Sequence, residues 1–351
     1  MGKRIVIVGA GALGAYVGGH LARAGEDVTL IDPWPAHVEQ MRAEGLSLKG
    51  LSEEECFSTP VQTMHITDVQ ELARTGPVDI AFLCTKSYDT EWATTLIRGY
   101  LAPAGYVVSL QNCINEHRIA AIVGWGKTVG CIASQIAVDL VGPGEVRRGV
   151  PRGGNDYTVF RVGEAHGGIT SRVEEVARLL SLIDSTKTTS NLWGERWSKL
   201  VANATRNGLS AATGMSNNAC DREPITRWLC IRTAAEAVRV GLAQGYQLEL
   251  IYKVTPERWL AAASDDGATV RGELEAEMQA SAANRAETMR PSMGQDILKG
   301  RRTEIDYING LVAEKGAEFG IPTPVNLAMV DAVKRVEYGR VEASLDNVRD
   351  I

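Results

Sequence analysis

The sequence predicts an α/β chain in two parts, a doubly wound parallel sheet followed by an all-helical domain. Three observations predict it. β-branched runs alternate with helical patterns through the first half of the chain, as βαβ units do. A glycine cluster, GAGALG at Gly9 to Gly14, joins the first such run to the first helical pattern. From Thr170 onward the strand signal fades and helical periodicity takes over.

In chain order, Lys3 to Val8 (KRIVIV) reads as a strand, the glycines follow, and a helical pattern runs to Gly25. A second strand covers Asp27 to Ile31 and ends at Asp32, and further strands are expected at Val78 to Cys84, Tyr106 to Leu110 and Val129 to Val138. Helices are expected around Asp89 to Tyr100 and Glu116 to Val123. Val141 to Asp156 is rich in turn residues and reads as a hairpin or loop, and Tyr157 to Gly163 returns as a strand. The later helices are Ser171 to Ile183, Glu195 to Ala212, Thr226 to Ala243, Pro256 to Ala263, a polar Ala/Glu stretch from Gly272 to Met289, and Glu304 to Phe319. The tract STKTTSN breaks periodicity near Asp184 to Asn191 and sets the expected domains at 1–187 and 188–351, with a ligand cleft between them.

Composition narrows the function. At 351 residues the chain exceeds what one core usually organises, so about two domains are expected. Hydrophobic residues at 44% and charged residues at 23% are ordinary for a globular protein. A net charge of -6 without a basic run offers no footprint for nucleic acid or an anionic membrane, which leaves a small molecule as the expected ligand. The six cysteines and five histidines show no metal-ligand spacing, and no signal peptide or transmembrane stretch is evident. The expectation is a cytoplasmic protein with reduced thiols and no metal.

GAGALG matches GxGxxG in the setting that gives the motif meaning, with a strand before it, a helix after it, and Asp32 lying 18 residues beyond Gly14. Gly9 serves the tight turn, Gly11 lets the backbone approach a pyrophosphate, and Gly14 permits close helix–strand packing. Gly9, Ala10, Gly11, Ala12, Leu13 and Gly14 are therefore the expected phosphate-binding residues, at a helix N-terminus that favours anions. Asp32 stands where an adenosine ribose would lie; its carboxylate accepts from both hydroxyls and repels a 2′-phosphate, which favours NAD over NADP. A turn aspartate before Pro33 is the alternative. Lys86 and Asn112 each follow a strand and so project from the carboxyl edge of the sheet; as single residues they are also explained as a surface lysine and a turn asparagine.

In the helical part, Lys199, Asn203 and Asn207 recur every four residues along one face of RWSKLVANATRNGLSA. Asparagine is a poor helix-interior residue, so two of them aligned with a lysine read either as a polar stripe donating to a carbonyl or carboxylate, or as a solvated face. Ser292 with Gln295, and Thr303 with Asp306, have capping-box spacing, so Ser292 and Glu304 fall at helix starts where capping alone also explains them.

Taken together, GAGALG, CTK, QN, RWSKLVANATRNGLSA, SMGQDILKGRRTEIDYING and GIPTPVN resemble the ketopantoate reductase family over most of the chain. The resemblance implies an N-terminal Rossmann domain and a C-terminal helical domain of the 6-phosphogluconate-dehydrogenase type, and a homodimer. It implies Lys199 as catalytic acid, Asn203 and Asn207 as substrate-positioning residues, Ser292 as the holder of the substrate carboxylate, and Glu304 as acceptor from a substrate hydroxyl. Lys86 and Asn112 are implied at the cofactor and substrate edge. Three departures stand out: Asp32-Pro33-Trp34 where NADPH-using members carry a basic residue, Cys113 where a glycine is expected after the QN asparagine, and a longer Tyr252 to Met289 segment.

The activity implied is an NAD(P)-dependent interconversion of a 2-keto acid and its 2-hydroxy acid, with NAD preferred and NADP as the other cofactor. An opine-type dehydrogenase and a non-catalytic NAD(H)-sensing protein are the two alternatives.

Overall fold

The computed structural model describes residues 2–282, 287 and 289–351. They form two compact units, 1–192 and 193–351.

The first unit contains twelve strands: β1 (Arg4–Val8), β2 (Asp27–Asp32), β3 (Leu46–Lys49), β4 (Phe57–Thr59), β5 (Gln62–His65), β6 (Val78–Leu83), β7 (Leu101–Ser109), β8 (Thr128–Ala133), β9 (Val138–Gly142), β10 (Glu145–Arg148), β11 (Phe160–Gly163) and β12 (Thr186–Thr188). Its α-helices are α1 (Ala12–Arg23), α2 (Pro35–Glu44), α3 (Leu72–Thr75), α4 (Thr90–Arg98), α5 (Glu116–Val123) and α6 (Ser171–Ser181). The main sheet runs β12-β11-β8-β7-β6-β1-β2-β5 and is parallel except where β8 meets β11. From β5 through β8 this is the doubly wound Rossmann order, with the reversal between β1 and β6.

β1 shows why its sequence is an unbroken apolar run. After Arg4, Ile5 and Ile7 enter the core on one face of the sheet and Val6 and Val8 the core on the other, so none of these four faces water. A second sheet, β4-β3-β10-β9, covers part of the first unit and was not expected from the sequence. Its strands β3 and β4 are only four and three residues long, too short to show alternation. The stretch Val141 to Asp156 supplies the end of β9, the turn and β10 of its hairpin, whereas the expected single strand Val129 to Val138 is broken after Ala133, with Val138 opening β9.

The second unit is helical: α7 (Leu192–Thr213), α8 (Asn217–Arg222), α9 (Pro224–Ala243), α10 (Pro256–Ala263), α11 (Ala268–Ala282), α12 (Ser292–Leu298), α13 (Asn309–Glu318) and α14 (Pro324–Glu337). The end of the expected stretch Gly272 to Met289 falls partly outside the described residues. The Trp197 indole N–H donates to the Ala237 carbonyl at 2.8 Å, tying α7 to α9. The buried Glu236 carboxylate accepts from the N–H groups of Val325 and Asn326, at 2.9 Å each, and so caps α14 from another helix. No helix among the described residues is long and apolar enough to cross a membrane.

His20, on α1, packs edge-on against Tyr16 and Phe57 at 4.6 and 5.1 Å between ring centroids. Burial, reinforced by the charges of Arg152, Arg23 and Arg148, lowers its pKa from 6.5 to about 4. Between those two values the unfolded chain binds a proton that the folded chain refuses, so stability falls as pH drops through this window. His20→Gln removes the titration. The loss of unfolding free energy between pH 7 and pH 5 should be smaller in the variant by on the order of 1 to 2 kcal/mol, and equal losses in both proteins would refute the assignment.

Candidate active site

The glycine loop is built by one close approach. A Cβ on Gly14 would lie 2.1 Å from the Gly9 carbonyl oxygen and 3.0 Å from the Cys84 Cβ, so α1 starts hard against the end of β1 and β6. Gly9 has φ of 93° and abuts Thr85, and its N–H donates to Ile31 at 2.9 Å. Gly11 is different. Its φ of -62° suits any residue, and a Cβ there would meet nothing within 4 Å. The fold does not require that glycine, but a pyrophosphate approaching the backbone does. Helix α1 adds to the fit, since it has no side-chain cap and no acidic residue in its first turn, which leaves its N–H groups suited to an anion. The residues present therefore fit a dinucleotide.

Asp32 closes β2 and is 9% exposed. Its Oδ1 accepts from the Trp34 N–H at 2.9 Å, so the turn role before Pro33 is real. Burial raises its pKa, opposed by the hydrogen bonds from the backbone of Trp34 and Ala10. One neighbour was missed by sequence reasoning. His37 is fully buried, with Nδ1 accepting from the Gly144 N–H at 2.8 Å and Nε2 2.9 Å from the Ala10 carbonyl. An acceptor at Nδ1 places the proton on Nε2, which donates to Ala10 and anchors the glycine loop. Only Pro35 and the end of a strand marked that segment in the sequence.

Lys86 precedes a short 3₁₀ turn, Ser87–Asp89, after β6, and Asn112 lies after β7. Both are partly buried. The two loops are stapled by Gln111, whose Nε2 donates to the Thr85 carbonyl at 2.9 Å and to the Thr90 hydroxyl at 3.0 Å. Asn115 adds a bond to the Asn112 carbonyl at 2.8 Å. Cys113 has φ of 65°, which explains why a glycine is expected at this position and makes the cysteine a strained occupant.

In the second unit, α7 is buried nearly all round. From Gly194 to Thr213 every residue is buried except Lys199, Ala202 and Asn203, which share one face. The third member of the predicted stripe departs from it. Asn207 is 4% exposed, and its Oδ1 accepts from the Ser292 hydroxyl at 3.1 Å and the Met293 N–H at 3.2 Å. It caps α12 from a distance. The capping box expected from Ser292 and Gln295 is therefore absent: Pro291 is the N-cap, Ser292 is the first helical residue, and Gln295 donates to the Arg290 carbonyl.

Glu304 is 1% exposed, not a solvated first-turn charge. The expected helix start at Thr303 and Asp306 is a 3₁₀ turn, Ile305–Tyr307, and α13 begins only at Asn309. Asp306 instead meets Lys334 at 2.6 Å. The Asn309 amide donates to the Ala204 carbonyl at 3.2 Å, which holds the segment carrying Glu304 to the middle of α7.

Two glycines separate folding from binding. Gly14→Ala should destabilise the first unit through its clash with Gly9. Gly11→Ala should leave the melting temperature near that of the wild type while weakening NADH binding about tenfold or more, measured by fluorescence titration. Tight NADH binding by Gly11→Ala would exclude a pyrophosphate over this residue.

Comparison with known proteins agrees with this architecture. Residues 5–158 match the family model described as "Ketopantoate reductase PanE/ApbA", and residues 191–337 match "Ketopantoate reductase PanE/ApbA C terminal". A 2-dehydropantoate 2-reductase of Archaeoglobus fulgidus is 31% identical over 96% of this chain and 99% of its own. One of Pyrococcus horikoshii is 28% identical over 95% of this chain and 97% of its own. The crystal structure of a 2-dehydropantoate 2-reductase from Geobacter metallireducens superposes with a TM-score of 0.76 at 27% identity, covering 95% of this chain and 99% of that one. With a glycine loop at the switch point of a Rossmann sheet and both halves of the chain matched, the protein belongs to the ketopantoate reductase family of oxidoreductases.

Proposed function

We propose that this protein interconverts a 2-keto acid and its 2-hydroxy acid with NAD(H) preferred over NADP(H), and that Lys199 moves the proton. The observation that carries the proposal is the exposure of α7, a helix otherwise buried that opens at Lys199, Ala202 and Asn203. The break puts a cation and an amide on one accessible face of a helix that is buried elsewhere, an arrangement suited to donating to a carbonyl oxygen.

When bound, the nicotinamide supplies or receives the hydride at the substrate's carbonyl carbon. As the C=O π electrons move onto oxygen in reduction, the Lys199 ammonium donates a proton to that oxygen, and in oxidation the amine takes it back. Asn203, one turn along, orients the same oxygen through its amide. In the unbound protein the Ser292 hydroxyl gives its one proton to Asn207 Oδ1, which also accepts from the Met293 N–H; on binding, Ser292 turns that proton to the substrate carboxylate. Glu304, held near the middle of α7, accepts from a substrate hydroxyl. Asp32 selects the cofactor by accepting from the ribose hydroxyls, with no arginine or lysine immediately following it in the sequence to welcome a 2′-phosphate.

Lys199→Ala should lower kcat by roughly 10² to 10⁴ in steady-state reduction of 2-keto acids, with NADH affinity little altered. Turnover near the wild-type rate would make Lys199 a polar surface residue. For the cofactor, the ratio of kcat/KM with NADH to that with NADPH should exceed about tenfold. Asp32→Asn keeps the acceptor for Trp34 but removes the charge, and should narrow that ratio. A wild-type preference for NADPH refutes the assignment.

A further inference from the structure

Tyr252 and Lys253 occupy the two central positions of a tight turn, with φ of 54° and 68°. The turn is closed by the Ile251 N–H donating to the Val254 carbonyl at 2.9 Å and the Val254 N–H donating to the Ile251 carbonyl at 3.0 Å. Such a left-handed pair ordinarily selects glycine, asparagine or aspartate. Two long side chains held there carry backbone strain, and strain of this kind marks a residue whose placement matters.

The turn places the Tyr252 ring. Its hydroxyl donates to the Ala202 carbonyl at 2.8 Å, and the Arg206 guanidinium lies 5.0 Å from the ring centroid. Arg206 is itself fixed by an ion pair with the buried Asp221. With one side against Arg206, the residue is still 47% exposed. Ala202 is one of the three residues at which α7 opens. Successive helical residues turn by about 100°, so Asn203, Asn207 and Ser292 lie toward one edge of the opening. The Ala202 side and Tyr252 lie toward the other.

We infer that Tyr252 is a specificity-determining residue, the wall against which the group attached to the keto carbon of a 2-keto acid packs while the Ser292 edge takes the carboxylate. This rests on the reading of the Lys199 opening as the substrate site. An aromatic wall gains from burying apolar surface and gives a polar substituent no partner in exchange for its water. The substrate class is therefore a 2-keto acid with a branched aliphatic or aryl group at that carbon.

The test uses the full-length wild type, Tyr252→Asn and Tyr252→Phe, with NADH consumption followed on pyruvate, 3-methyl-2-oxobutanoate and phenylglyoxylate. Asparagine suits the left-handed turn, so Tyr252→Asn should melt no lower than the wild type. The wild type should favour the two apolar substrates over pyruvate in kcat/KM. Tyr252→Asn should reduce that preference about tenfold or more, and Tyr252→Phe should keep it. An active, folded Tyr252→Asn with the wild-type preference, or a wild type that prefers pyruvate, overturns the role of Tyr252 alone. A wild type that reduces none of the three overturns the reading of the Lys199 opening and this inference with it.

Discussion

The first unit depends on the contact between Gly14 and the carbonyl of Gly9. No side chain fits there, since a Cβ would stand 2.1 Å from the oxygen, and this lets α1 begin directly over the ends of β1 and β6. The consequences follow outward. The first turn of the helix points its N–H groups at the open space above Gly11, and Ala10 is left with a carbonyl that His37 can bind. The position of that carbonyl in turn recruits α2 and the β9–β10 hairpin, because the same imidazole accepts from Gly144.

The second unit is governed by a different condition, the burial of α7. A helix surrounded on nearly every side cannot leave polar groups to water, so each needs a partner within the protein. Several pairings satisfy it: Arg206 with Asp221, the Ser198 hydroxyl accepting from Glu249 at 2.7 Å, Thr213 donating to the Leu209 carbonyl at 2.7 Å, and Asn207 with the start of α12. Against that background a break in the burial has meaning. Lys199 and Asn203 lie in that break.

The glycine loop, the strands before and after it and the long helices were legible because each is strongly periodic or carries an obligatory residue. The second sheet was not, since β3 and β4 are too short for alternation to show, and β5, α2 and α14 went unread beside them. Among the site residues, position along a helix was readable from spacing, but partnership was not. Lys199, Asn203 and Asn207 share a spacing, yet the third is consumed by Ser292 and Met293, 85 and 86 residues away in sequence. Ser292 and Gln295 have the spacing of a capping box, yet Pro291 takes the cap position and the distant asparagine performs the capping. His37 escaped notice because its two partners, Ala10 and Gly144, come together only in three dimensions.

The link between Asn207 and Ser292 changes how sequence variation in such proteins is to be read. A residue that contacts no ligand can still be held as strictly as one that does, because it fixes the side chain and backbone at the start of another helix. Drift at position 207 would be tolerated only with a compensating change near the start of α12, so the two sites should vary together among relatives. Comparative studies that equate invariance with direct contact would misplace it.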